Sequence, residues 1–300
     1  MNMRTLTVPG LVVATTMIAS SLTPATAQAS TAIYLAASLV GENEVPAPGT
    51  KVGDDDASAL AVFRIRGNQV DYAIRWDKVT APSGFHIHKG EDGENGDVVI
   101  PFFGVALPNT LHAVKGTVQV KDGNLLARIV NNPDNWYANL HNAEFAGGAV
   151  RAQLHQIRPV ELESVLAHGF TKETLTSQAN GDQEVKAPDT RVGDPNGHAE
   201  WLVQVQGTRV WFASTWAKVG KPTAAHIHRA PKGTNGPVAV PFFAAEKGLP
   251  KGVNGLAGSA TTTADVAGRI ANNPKNWYAN LHTAQFPGGA VRGQLYKGDW

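Results

Sequence analysis

The sequence predicts an all-β protein built from two tandem antiparallel β-sandwiches. Three observations predict it. The chain repeats itself at a long, nearly constant offset. Its apolar residues alternate with a period of two in short runs. Glycine and proline, 31 and 18 of 300 residues, punctuate it too often for long helices.

The repeat is read directly. Asn43-Glu44-Val45-Pro46-Ala47-Pro48 returns as Gln183-Glu184-Val185-Lys186-Ala187-Pro188, and Val52-Gly53-Asp54 as Val192-Gly193-Asp194. The offset of 140 residues holds through Phe102-Phe103 and Phe242-Phe243. One inserted residue later, Trp136-Tyr137-Ala138-Asn139-Leu140-His141 reappears as Trp277-Tyr278-Ala279-Asn280-Leu281-His282, and Gly147-Gly148-Ala149-Val150-Arg151 as Gly288-Gly289-Ala290-Val291-Arg292. A unit this long is a duplicated domain; solenoids use shorter periods.

Along the chain, residues 1–27 are expected to be a secretory signal peptide. Arg4 supplies the early positive charge, residues 11–18 are mostly apolar, and Ala25-Thr26-Ala27 offers the A-x-A arrangement cut by signal peptidases. The apolar stretch is too short to span a bilayer, and no later segment approaches that length. The first domain is then expected over residues 30–158, a linker over 159–169 and the second domain over 170–300.

Inside each copy the pattern is that of strands. Leu60 and Val62 take one face of a run, with Phe63 and Ile65 on the other. Val70, Tyr72, Ile74 and Trp76 alternate with Asp71, Ala73 and Arg75. Gly67-Asn68 and Gly207-Thr208 lie between such runs and predict hairpin turns. Val118 and Val120 alternate; Asp122-Gly123-Asn124 then reads as a turn into a strand over residues 125–130. A short helical turn is expected from Pro133 to Trp136, capped by Asn132. Six to eight strands per sandwich follow from the usual count.

Composition excludes several functions. The formal net charge is +1, which leaves no basic footprint for nucleic acid or anionic lipid. There is no cysteine, and the three methionines, Met1, Met3 and Met17, all fall in the signal segment. Thiolate and thioether metal sites are thereby excluded, and core burial alone must hold the fold.

The repeat sorts the ten histidines. His86, His88 and His141 correspond to His226, His228 and His282; His112, His155, His168 and His198 have no counterpart. In His86-Ile87-His88, strand alternation puts both imidazoles on one face. His141 from another strand would complete a three-nitrogen site suited to copper or zinc. The plainer reading is that these histidines order loops by hydrogen bonding. The turn after the pair, Lys89 to Asp97, looks like a calcium loop, but its counterpart, Arg229 to Pro237, lacks every acid. Calcium is therefore disfavoured, and the retained Gly93, Asn95 and Gly96 are turn residues. Arg151 and Arg292 either guide an anion towards the histidines or close a structural salt bridge to Glu44 and Glu184. Trp136-Tyr137 and Trp277-Tyr278 read as core or loop anchors.

These motifs carry a family resemblance. Phe85-His86-Ile87-His88, the Asn95-Gly96 turn, Asn132-Pro133, Tyr137-Ala138-Asn139-Leu140-His141 and Gly147-Gly148-Ala149-Val150-Arg151-Ala152-Gln153-Leu154 resemble the CHRD domain, first described in chordin. The second copy ends Phe286-Pro287-Gly288-Gly289-Ala290-Val291-Arg292-Gly293-Gln294-Leu295 and matches better still. The resemblance spans nearly all of the chain after the signal segment and implies an exported domain. More weakly, Gly84-Phe85-His86-Ile87-His88 with its Gly/Asp-rich turn is similar to the copper-binding strand of Cu/Zn superoxide dismutases. That similarity implies a shared Greek-key sandwich, and the expected fold is superoxide-dismutase-like or immunoglobulin-like. In it the six repeated histidines would be copper ligands, and Arg151 and Arg292 the anion-guiding arginines. The bridging histidine, zinc cluster and cysteine pair of that family have no match here.

Three functions compete. The first is a secreted binding module holding one copper or zinc ion per domain, for metal buffering or for contact with an extracellular or cell-envelope partner. The second is a copper-dependent superoxide dismutase-like enzyme. The third is a structural or adhesive β-domain pair. The chain contains no G-x-S-x-G elbow, H-E-x-x-H motif or P-loop.

Overall fold

Alternating apolar runs close into hairpins wherever a turn residue allows it. In the computed structural model, which describes residues 32–298, β1 (Ile33–Val40), β2 (Ser58–Arg66) and β3 (Gln69–Asp77) are antiparallel neighbours. The two-residue turn between β2 and β3 places Gly67 at φ +55, and Gly207 at φ +59 does the same in the second copy. A positive φ at that place matches the strand twist and favours glycine. There follow β4 (Gly84–Lys89), β5 (Val98–Phe103), β6 (Leu111–Gln119), α1 (Gly123–Asn131), β7 (Trp136–His141), β8 (Val150–Gln153) and β9 (His155–Ile157).

These strands form two layers. One runs β1-β2-β3-β6 and the other β5-β4-β7-β8, joined where β1 meets β8 and β9. The return of β7 to lie beside β4 is a Greek-key connection. Phe63 of β2 and Tyr72 of β3 pack across onto Phe102 of β5, with ring centroids 5.4 and 4.6 Å apart. All three rings are buried with Phe85, so truncating one to Ala costs about 3–5 kcal/mol.

The second copy repeats the plan with β10 (Leu175–Asn180), β11 (His198–Gln206), β12 (Arg209–Ala217), β13 (Pro222–Arg229), β14 (Val238–Ala244) and β15 (Val253–Thr261). It closes with α3 (Ala264–Asn272), β16 (Trp277–Thr283), β17 (Val291–Gln294) and β18 (Tyr296–Lys297), after the linker helix α2 (Glu163–Leu166). Each copy is thus a sandwich of nine strands rather than six to eight. The additions are the short β9 and β18, which extend the edge of β1 and β10.

Residues 125–130 are helical, not a strand. Asp122 caps α1, its side chain accepting from the Asn124 amide, and Leu125, Leu126 and Ile129 bury one helical face. The Asp-Gly signal for a turn was also a helix start, and i,i+4 spacing outweighed β-branched content. The turn at Pro133–Asn135 forms as expected, without a side-chain cap from Asn132.

The segment expected as a linker carries a short helix, and the copies are joined by strand pairing, neither of which the sequence pattern indicates. β6 pairs antiparallel with β15, so the two copies share one continuous eight-stranded layer. Pairing removes two exposed edges, a device that protects sheets from aggregation. Leu162 and Val165 of the linker pack on Ala36, Val62 and Ala73, while Leu166 packs on Ala113, Ala213 and Ala257. Outward-facing Val62 and Ala73 are buried for this reason. Among the described residues no helix is long and apolar enough to cross a membrane. The expected signal segment lies outside the described residues.

Candidate metal centre

The site is a product of alternation and register. In β4, Phe85 and Ile87 turn into the core, which sends His86 and His88 to the outer face. β7 lies beside β4 with Ala138 and Leu140 inward. Residues directly opposite on paired strands share a face. The register pairs Gly84 with His141, His86 with Asn139 and His88 with Tyr137. Next door, β8 sets Arg151 opposite Asn139. The second copy repeats the pairing: Ala224 with His282, His226 with Asn280 and His228 with Tyr278, and Asn280 with Arg292.

The three histidines of each copy therefore converge. Ring centroids are 5.7 Å apart for His86 and His88, 5.2 Å for His86 and His141, and 6.1 Å for His88 and His141. In the second copy they are 5.5, 4.9 and 6.4 Å. One ring nitrogen from each residue lies within 4.8 Å of the other two in both triads. His226 Nδ1 and His282 Nε2 are only 3.2 Å apart.

Hydrogen bonds choose which nitrogen faces inward. His88 Nδ1 donates to the Gly96 carbonyl at 2.9 Å, and His141 Nδ1 to that of Ala146 at 3.2 Å. His228 and His282 donate likewise to Gly236 and Pro287, each at 2.9 Å. A neutral imidazole with its proton on Nδ1 carries a lone pair on Nε2. In the first triad the buried His86 Nδ1, His88 Nε2 and His141 Nε2 have no hydrogen-bond partner. Burial holds all six imidazoles below their usual pKa, and neighbouring histidines add to the effect at His86 and His226, which are pushed down to about 4. At neutral pH the rings are uncharged, the state that metal ligation requires.

Arg151 and Arg292 are each 1% exposed. The Arg151 guanidinium lies 3.4 Å over Tyr137, whose ring in turn stacks with His88 at 4.8 Å. It donates to the carbonyls of Glu91 and Glu94 at 3.0 and 2.7 Å and to Asn95 Oδ1 at 3.3 Å. Arg292 holds Pro231, Thr234 and Asn235 in the same way. The salt bridge to Glu44, one of the two alternatives for Arg151, does not form; backbone carbonyls of the Gly-rich turn take the charge instead. The acids of that turn, Glu91, Asp92, Glu94 and Asp97, are exposed and belong to neither metal-type cluster. His112 pairs with Ser259 Oγ at 3.0 Å, away from both triads.

Sequence reasoning passed over Glu44 as a site residue. Its carboxyl is buried beside Asn139, whose Nδ2 donates to Oε2 at 3.2 Å. Burial pushes its pKa up to about 7, against the opposing pull of Asn139 and Arg151. Glu184 behaves alike. The signal was present in the sequence: each glutamate survives inside a repeated Glu-Val-x-Ala-Pro segment.

No curated protein and no solved structure matches this chain. The family model of the CHRD domain matches it twice, over residues 35–154 and 175–295. Those matches cover most of the chain and enclose both triads, so the protein belongs to the CHRD-domain family and carries two tandem copies of the domain.

Proposed function

We propose that this protein is a secreted binding module that holds one copper or zinc ion in each domain. His86, His88 and His141 form the first site, and His226, His228 and His282 the second. The observation that carries the reading is the convergence, in both copies, of three neutral imidazoles, two of which in each copy already hydrogen-bond a backbone carbonyl through their outer nitrogen. Such bonds fix the tautomer and orient the ligand, as outer-shell partners of metal sites do. Imidazole ligands suit Cu(II) and Zn(II). A bound ion would tie β4 to β7 and serve as a Lewis-acidic contact point for an extracellular or cell-envelope partner.

The binding-module reading is favoured over a superoxide dismutase-like enzyme by the arginines. A guiding residue must present its charge to an incoming anion, whereas Arg151 and Arg292 are buried and committed to carbonyls. Export is supported by the signal-type segment in residues 1–27. Elemental analysis of untagged protein should find two equivalents of copper or zinc per chain after loading and gel filtration. Retention of none would leave the structural reading in its place.

A further inference from the structure

We infer that Asn139 and Asn280 each supply a fourth metal ligand, the side-chain amide oxygen, and that Glu44 and Glu184 aim it. The inference rests on the metal-binding reading above. Asn139 and Asn280 are 3% and 2% exposed and stand opposite His86 and His226 on the same outer face. In the first copy, Asn139 Oδ1 is buried without a hydrogen-bond partner, as are His86 Nδ1, His88 Nε2 and His141 Nε2. Four unpartnered polar atoms grouped on one strand pair, three of them acceptors, are costly to bury unless a cation satisfies them together.

The second copy brings these atoms closer. Asn280 Oδ1 lies 3.0 Å from His282 Nε2, which is itself 3.2 Å from His226 Nδ1. His282 gives its Nδ1 proton to the Pro287 carbonyl, so Nε2 of the neutral ring bears a lone pair. An amide oxygen against that lone pair is repulsive without a positive charge between them. Ligand atoms that share a four-coordinate ion at about 2.0–2.1 Å lie roughly 3.3 Å apart, close to these separations.

The glutamates settle which amide atom faces the histidines. Asn139 Nδ2 is engaged by Glu44 Oε2 at 3.2 Å, which leaves Oδ1 turned to the triad. Gly148 and Gly289, at φ +140 and +135, press so closely on Glu44 and Glu184 that a β-carbon at either would overlap the carboxyl. The second glycine of each Gly-Gly pair therefore leaves the space that the glutamate carboxyl occupies. Three nitrogens and one neutral oxygen make a set for a borderline divalent cation, zinc or Cu(II). Glu44 and Glu184 act through the asparagines as positioning residues.

The test uses Co(II) and Zn(II) with the full chain. Wild-type protein should bind two equivalents. Asn139→Ala with Asn280→Ala should keep both sites but weaken zinc about 10–100-fold and change the visible Co(II) spectrum. Asn139→Asp with Asn280→Asp, nearly isosteric, should keep an oxygen ligand, tighten binding and shift the same bands; it serves if the alanine variant misfolds. Glu44→Ala should weaken the first site, and Glu44→Gln, still an acceptor for Asn139 Nδ2, should restore it. Wild-type binding with affinity and spectra unchanged in the asparagine variants overturns this inference alone. Failure of wild-type protein to bind either metal overturns the metal reading itself.

Discussion

His88 Nδ1 lies 2.9 Å from the carbonyl oxygen of Gly96, and His228 repeats the contact with Gly236 at the same distance. The glycine-rich turn after each H-x-H strand is therefore the outer partner of a histidine. A β-carbon on Gly96 would overlap the Lys89 carbonyl and push the turn away. Gly96→Ala should destabilise the fold by about 1–3 kcal/mol and weaken metal at the first site by about 10–100-fold. Denaturant melts and chelator competition on a His228→Ala background check both; an unchanged affinity would mean that the turn does not orient His88.

The two sites should fill separately. Ala224 stands where the first copy has Gly84, and His226 and His282 are closer than His86 and His141, with centroids at 4.9 against 5.2 Å. Less rearrangement should make the second site the tighter one. His88→Ala should halve the metal bound per chain, addition of His228→Ala should abolish it, and His112→Ala should change nothing. Isothermal titration of the single variants gives the order of affinities.

With metal removed by chelator, stability should depend on pH in two opposite ways. The six histidines have folded-state pKa values below the unfolded value, down to about 4 at His86 and His226. Their contribution is present above about pH 6.5 and is lost as pH falls towards 4. Glu44 and Glu184 are raised to about 7, so their contribution is present below about pH 4.5 and lost as pH rises through 7. The melting temperature should climb from pH 4 to about 6.5 and then decline slightly. Glu44→Gln with Glu184→Gln should remove the decline; a decline that persists would place its origin elsewhere.

Added Cu(II) or Zn(II) should stabilise the fold by mass action, by about 2.7 kcal/mol for each filled site at a hundredfold excess over Kd. Reductant should leave it unchanged, because the chain has no cysteine. Calorimetry with saturating metal and with saturating chelator gives the comparison, and identical melts would exclude tight binding to the native state.

Arg151→Lys keeps the charge but loses the guanidinium fork that holds Glu91, Glu94 and Asn95. It should cost about 1–3 kcal/mol in total for the hydrogen bonds lost from a buried charged group and should loosen residues 91–95, read by amide hydrogen exchange. If the variant keeps full stability and protection, the arginine is not an anchor of the turn.

The duplication, the hairpins and the shared face of His86 and His88 were legible in the sequence, because each depends on spacing along one stretch of chain. It also singled out His141 and Arg151, because duplication retained them. It did not determine that Tyr137, Asn139 and His141 stand opposite His88, His86 and Gly84, since register between strands some fifty residues apart is set by long-range pairing and core packing. Nor did local pattern separate α1 from a strand at residues 125–130, where a cap and one buried face decided the outcome. The partners of Arg151 are carbonyls, which every residue carries, so no side-chain type announced them. Only the tertiary structure joined β6 to β15, because an unpaired strand edge offers the same backbone groups whatever its sequence.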